Sequence, residues 1–321
     1  MAGTLIVSLD FELFWGMLDV CPLEEYEQNV LGGRKAIPDT LALFQKYGIH
    51  ATWATVGFMF AENAQEAAAF FPEESLRPTY ENPALKPYAQ FTGIGSNEEE
   101  APCFFAPSLI AKIAAQPGQE IASHTFSHYY CREAGQTPRQ FAADMRAAKA
   151  IAEKHGYHLT SVVLPRDQCE GAYTKVLRDL GFNCYRGESD AWYEKRKCPH
   201  FLLRVLRLLD TYFSVSGNQG YTPKKEDGIW NLIGSQKFRT IFPPLRFLEG
   251  AKVRKIKRQM RYAAKHDLTY HLWWHPHNIG VDTQEHLKQL EEIFQYYQQL
   301  HETYGMESKN MKEAVQQAQN A

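Results

Sequence analysis

Two acids and a scattered set of histidines have the residue types and spacing of a reaction centre. Asp10 and Glu12 close the stretch Thr4-Leu5-Ile6-Val7-Ser8-Leu9-Asp10-Phe11-Glu12, whose apolar Leu5–Val7 run reads as a buried strand. Side chains alternate along a strand, so the two acids share a face if extended geometry continues through Phe11. Two buried carboxylates this close need a cation beside them, an arginine or a metal ion. His124 and His128, four residues apart, would lie on one side of a helical turn and suit a shared ion. An acid from another strand end completes a two-histidine, one-carboxylate set with coordination positions left open, as in catalytic rather than structural sites. His124-Thr125-Phe126-Ser127-His128 lacks the glutamate of a HExxH motif, which excludes that route. Against these stand plainer readings: a surface strand end for the acids, a structural histidine pair, and a loop salt bridge for Arg166.

The elements that must position these residues follow from periodicity and punctuation. Gly32-Gly33 is expected to break any helix after the polar Glu24–Val30 stretch, with a helix from Pro38 to Tyr47 stopped at Gly48. His50–Val56 reads as a second strand and Glu120–Ser123 as a third, leading into His124. Thr137-Pro138-Arg139-Gln140 starts a helix with a cap, a proline at the first position and a capping-box glutamine. Ser161–Leu164 and Cys184–Arg186 read as strands four and five, separated by a helix over Tyr173–Leu180. Signals weaken over 190–244, where Ile229–Ile233 is the best strand. Leu245–His266 is a basic helix expected to present a solvated face, Leu268–Trp274 an aromatic strand, and Asp282–Tyr304 a further helix. The polar tail from Ser308 is expected to fray. Repeated strand–helix alternation implies parallel strands with crossover helices. The informative polar residues, Asp10, Glu12, His124, His128, Arg166 and His275, all fall at strand ends, where sites of such folds gather.

The 321 residues, 44% hydrophobic and 22% charged with net charge −2, describe a globular protein and give no reason to expect a nucleic-acid partner. One domain over 1–321 is expected, with an irregular insertion at about 60–105 that shapes a cleft and a helix at about 282–304. Six cysteines without a CxxC pair read as thiols in a reducing compartment. Neither a signal peptide nor a run long enough to span a bilayer is evident, so a cytoplasmic protein is expected.

Four motifs in order resemble the polysaccharide deacetylase (NodB-homology, carbohydrate esterase family 4) family: Ser8-Leu9-Asp10-Phe11-Glu12, His124-Thr125-Phe126-Ser127-His128, Leu164-Pro165-Arg166 and Leu272-Trp273-Trp274-His275. The resemblance implies an α/β fold, a distorted (β/α)7 barrel. It also implies metal ligands Glu12, His124 and His128, with Asp10 as base and His275 as acid. The roles of Asp10 and Glu12 are open to exchange, because the family's usual adjacent aspartates are here spaced by one. The family's arginine–proline order is reversed at Pro165-Arg166, and Asp190 and Asp210 both stand as candidates to orient His275.

The chemistry suits these types. Asp10 would take a proton from attacking water, and His275, titrating near neutrality, would protonate the departing amine, while Arg166 would hold Asp10 ionised. The implied cofactor is a divalent metal, zinc by default, with iron, cobalt, nickel or manganese as alternatives. The implied substrate is an acetylated amino sugar, nucleotide- or lipid-linked, from surface polysaccharide or lipopolysaccharide synthesis. An allantoinase-like hydrolase of a small cyclic amide and a non-catalytic carbohydrate-binding relative are the competing readings. The oligomeric state is not legible.

Overall fold

The computed structural model describes residues 2–91, 93–169, 171–194 and 199–320. Its strands are β1 (Thr4–Phe11), β2 (Ala51–Thr55), β3 (Gln119–Ser123), β4 (Ser161–Val163), β5 (Cys184–Arg186), β6 (Lys224–Glu226), β7 (Ile229–Asn231), β8 (Gln236–Lys237), β9 (Thr269–Trp274) and β10 (Glu307–Lys309). Its helices are α1 (Leu23–Tyr47), α2 (Ala64–Ala69), α3 (Pro87–Gln90), α4 (Pro107–Ala114), α5 (Pro138–Lys154), α6 (Gly171–Asp179), α7 (His200–Tyr212), α8 (Glu249–Lys265), α9 (Thr283–Tyr304) and α10 (Met311–Gln319). Apart from the antiparallel β6–β7 pair, the strands pair in parallel.

The order runs β7-β5-β4-β3-β2-β1-β9-β8, and its two ends belong to one stretch of chain. Leu232 and Gly234 donate their backbone N–H groups to Tyr185 and Gly187 at 2.9 and 3.0 Å, while Ser235 and Phe238 donate to His271 and Trp273 at 3.0 and 2.7 Å. Residues 229–238 therefore bridge β5 and β9 and close a ring of seven positions: β1, β2, β3, β4, β5, β7/β8 and β9. This is the distorted (β/α)7 barrel. Every residue of β1 and β2 is buried, as strands covered on both faces must be.

Several elements depart from sequence expectation, each for a packing reason. Helix α1 runs unbroken through Gly32-Gly33 and contains Pro38. The glycines serve close approach instead: a Cβ on Gly32 would lie 2.0 Å from the Gly280 carbonyl oxygen, and one on Gly33 2.8 Å from His277 Cα. Burial of Val30, Ile37, Leu41 and Phe44 outweighs the hydrogen bond that Pro38 removes.

The tail from Ser308 does not fray. β10 pairs with Thr4–Ile6 of β1, and α10, closed by an Asn310–Glu313 capping box, packs Met311, Ala314 and Val315 against Ile6, Ala54, Val163, Cys184 and Leu232. Helix α7 lies in the stretch whose signals were weak. The basic helix α8 is not a uniformly solvated face: Lys252 and Lys255 are buried. Lys252 pairs with Glu249 and donates to the Arg239 carbonyl at 3.0 Å, and Lys255 donates to Gln236 Oε1 at 2.7 Å beside Asp210 Oδ2 at 3.2 Å.

Residues 60–105 pack an aromatic cluster of Phe71, Tyr88, Phe91 and Phe104 around Phe58 and Trp15. None of the segment's described residues lines the site cavity described below; Tyr80, whose hydroxyl accepts from the Tyr130 N–H at 2.7 Å, braces the loop after His128. Cys21, Cys103 and Cys184 form no disulfide, and Cys198 lies outside the described residues. No described helix is long and apolar enough to cross a membrane.

Candidate active site

The carboxyl ends of β1, β5 and β9 deliver Asp10 and Glu12, Arg186 and His275 to one pocket of about 170 Å³, which His128, Arg166, Lys237 and Trp273 also line; His124, at the end of β3, meets it through Glu12. Asp10 and Glu12 are nearly sealed, 3% and 4% exposed. The cation on Asp10 is Arg186, not the expected Arg166. Its two terminal nitrogens reach the two Asp10 oxygens at 2.6 and 2.7 Å, Nε donates to Asp167 at 2.9 Å, and one terminal nitrogen also reaches Ser8 Oγ at 3.1 Å. Burial raises the Asp10 carboxyl, but the guanidinium and His275 outweigh it and bring it down to about 2.

Arg166 is turned away by local backbone. It and Asp167 both occupy the left-handed region, φ 57° and 52°, a conformation costly for non-glycine residues. The turn sends Asp167 inward to Arg186 and Arg166 to the rim, where it pairs with Asp19, reaches Glu133 at 3.1 Å and lies 4.4 Å from the Tyr130 ring.

His124 and His128 do converge, but not through a helical turn. Thr125 and His128 have φ 65° and 57°, and Asp144 of α5 holds the loop between them. Its carboxylate accepts from the Phe126 and Ser127 N–H groups at 2.7 and 3.2 Å and from the Ser127 hydroxyl at 2.5 Å. Both Nε2 atoms then meet Glu12 Oε2, at 3.1 and 3.0 Å.

The three residues offer ligand atoms all within 4.8 Å of one another, and their chemistry fits a metal ion. His124 Nδ1–H donates to the Val163 carbonyl at 2.9 Å, so Nε2 is the atom left to face the carboxylate oxygen and to serve as a ligand. Lone pair against lone pair in a buried site requires a cation between them, and burial lowers the pKa of His128, which disfavours a proton in that role. Gly16 leaves the space: a Cβ there would lie 2.1 Å from Glu12 Oε1. Burial raises the Glu12 carboxyl; positive charge on His275 and hydrogen bonds from His124 and His128, when these rings carry the proton, hold it well below the usual range.

His275 stands on the open side, its Nε2 3.5 Å from both Asp10 Oδ2 and Glu12 Oε1. Asn278 Oδ1, at 3.1 Å from Nδ1, orients it; Asp210 is engaged elsewhere, with Tyr193, Ser216 and Lys255. Burial first, then Lys237, pushes His275 down to about 3, so the ring is neutral rather than poised near neutrality. His277 stacks on it with ring centroids 5.0 Å apart.

Sequence reasoning missed Arg186, Asp144, Lys237 and Asn278. Arg186 was findable, because it ends a strand already recognised and obeys the same strand-end rule as Asp10. Asp144 was not, since nothing in a helical aspartate announces that its acceptors face a loop seventeen residues back.

The polysaccharide deacetylase family model matches residues 19–185, just over half of the chain. No curated protein matches the sequence. Among solved structures, a candidate polysaccharide deacetylase from Mycobacterium smegmatis is 12% identical, with TM-score 0.61 over 100% of this chain and 92% of its own. The allantoinase PuuE is 11% identical, with TM-score 0.58 over 98% of this chain and 88% of its own. A probable polysaccharide deacetylase from Pseudomonas aeruginosa PAO1 is 11% identical, with TM-score 0.56 over 98% and 89%. At such identities these likenesses speak for the barrel alone. With the matched segment carrying His124, His128 and Arg166 and running across β2 to β5, the chain belongs to the polysaccharide deacetylase family.

Proposed function

We propose that the protein is a metal-dependent hydrolase that removes an N-acetyl or related N-acyl group from an amino sugar. The observation that carries this reading is the convergence of Glu12, His124 and His128 on one point, with Asp10 and His275 on its open side. Glu12, His124 and His128 would hold the ion; zinc suits two imidazoles and a carboxylate, and iron, cobalt, nickel and manganese take the same donors. When bound, such an ion supplies Lewis-acid polarisation of an amide carbonyl and an acidified water.

The chain's own residues supply the rest. Asp10, fixed by Arg186 and ionised throughout the working pH range, orients the attacking water and accepts its proton. His275, held by Asn278 through Nδ1, presents the Nε2 lone pair to the same space, takes up the proton that Asp10 drew from water and passes it to the departing amine nitrogen. The amide C–N bond breaks, water's oxygen stays on the acyl carbon, and acetate and a free amine leave. Trp273 and the cationic wall beside the pocket give a sugar a face to lie on.

The test is metal content by elemental analysis together with acetate release from acetylated amino sugars, for wild type, Glu12→Ala, His128→Ala and Asp10→Asn. Roughly one ion per chain in wild type, lost with either ligand, and turnover abolished with the ion retained in Asp10→Asn, is the expected pattern. Loss of metal in Asp10→Asn with retention in Glu12→Ala would exchange the two acids' roles. Turnover of a cyclic ureide but no acetylated sugar would favour the allantoinase-like reading, whose barrel the chain shares at a comparable TM-score.

A further inference from the structure

Beside the reaction pocket lies a second cavity of about 520 Å³, and the two share Arg166, Asp167, Lys237 and Trp273 as common wall. The annex is rich in charge, and most of that charge is already matched. Asp167 takes Arg186, Glu188 takes Arg132, Glu194 takes Arg207, and Asp210 takes Lys255. Arg166 is paired with Asp19 and Glu133. Lys237 and Arg239 are left. Among the described residues neither side chain has a carboxylate within ion-pair distance or a hydrogen-bond acceptor, and the contact found for the Lys237 ammonium is the Trp273 ring, 5.1 Å away.

Their placement follows from the strand. Phe238 is buried against Trp274, His286 and the Lys252 ammonium, so by alternation the residues on either side of it, Lys237 and Arg239, face the cavity together. Both line the annex and both are partly buried. Asp10 and Glu12 act on Lys237, and Asp210 and Glu194 on Arg239, only from beyond ion-pair distance, so each cation in this partly buried wall is left without a contacting counter-ion. Burial, and next the neighbouring Arg239, lower Lys237 to about 8, which still leaves it cationic at neutral pH.

We propose that Lys237 and Arg239 form an anion subsite that receives a phosphate or diphosphate carried by the substrate, one cavity away from the bond that is cut. The phosphate is the part of the substrate that the annex recognises, and the acetylated sugar extends from it across Trp273 into the reaction pocket. The inference rests on the deacylase reading for the sugar, but the anion subsite stands or falls by itself.

The experiment separates the two. Binding of inorganic pyrophosphate to the full-length, chelator-treated protein is measured by calorimetry, so that no bound metal contributes. Wild type is expected to bind, and Lys237→Met and Arg239→Gln each to bind roughly tenfold more weakly or worse, with Lys237→Arg retaining most of the affinity. Uridine diphosphate and a short-chain isoprenyl phosphate then distinguish a nucleotide from a lipid source of the same group; tighter binding of either, lost in the same variants, supports the subsite. In the metal-loaded enzyme, kcat/KM for a phosphorylated acetyl sugar relative to its uncharged counterpart should fall by a similar factor in both variants. Absence of pyrophosphate binding, or binding indifferent to both substitutions, overturns the proposal. Pyrophosphate binding as expected without turnover of any acetylated sugar keeps the subsite and removes the deacylase reading.

Discussion

Arg186 closes on Asp10 with both terminal nitrogens, at 2.6 and 2.7 Å, and neither residue is more than 4% exposed at its side chain. The pair joins β1 to β5 across the barrel mouth. Its purpose reads as orientation: a carboxylate gripped on both oxygens has one direction left in which to meet a water molecule. Arg186→Met should strand Asp10 as a buried unpaired anion, costing about 3–5 kcal/mol of stability, and should abolish turnover. Arg166→Met, which removes a rim-exposed pair, should cost no more than about 1 kcal/mol. Thermal unfolding and acetate release on the two variants decide it, and equal effects would return Arg166 to the role that Arg186 takes here.

Asp144 holds the loop that carries the two histidines facing Glu12 without touching either. Asp144→Ala should leave a folded protein whose metal affinity falls roughly 10–100-fold, as when an outer residue orienting a ligand is lost. Competition against a chelator of graded concentration measures this. Affinity unchanged from wild type would show that the left-handed turn holds its shape unaided.

The glycines of α1 set the position of the loop after β9. Gly32→Ala places a methyl group against the Gly280 carbonyl at 2.0 Å, which backbone must move to relieve. Because His275 and His277 lie in the segment against which α1 packs, kcat should drop more than metal content does. A variant with wild-type kcat would mean that the loop shifts without carrying its histidines.

Glu120, at the start of β3 and away from His124, supplies a pH dependence of stability. It is buried and accepts from Ser161 Oγ at 2.6 Å, Thr52 Oγ1 at 2.7 Å and the Lys312 N–H at 3.1 Å. Burial outweighs these donors and raises its carboxyl above the ordinary 4.5. A raised carboxyl contributes stability that is complete below the unfolded value and is lost as pH climbs through the folded one. Glu120→Gln should therefore match wild type in Tm near pH 4.5 and exceed it at pH 8. A constant Tm difference across that range would show that Glu120 keeps its ordinary titration.

The barrel and most of the residues that meet in the candidate site were legible because their signals are local. An apolar run ending in an acid, or a strand ending in a histidine, announces itself within ten residues, and Asp10, Glu12, His124, His128 and His275 all did. What stayed hidden depends on what a residue meets. Gly32-Gly33 punctuates a helix or permits close approach depending on whether another backbone lies alongside. Lys252 and Lys255 look like solvent residues until the Arg239 carbonyl, Gln236 and Asp210 arrive from elsewhere. Ser308 to Gln319 looks polar because its apolar residues are few, yet Met311, Ala314 and Val315 all face inward.

The parallel pairing of β1 with β2, β9 and β10 also fixes an order of events during synthesis. The acid-bearing strand leaves the ribosome early, but its partners at residues 269–274 and 307–309 follow more than 250 residues later. Until then one edge of β1 is open, and Asp10 and Glu12 lack the histidine that faces them. The nascent chain thus carries an apolar strand with one edge unpaired for most of its translation, an aggregation hazard typical of high contact order. Chaperone dependence in the cell, rather than low equilibrium stability, is where substitutions in β10 and α10 should first be felt.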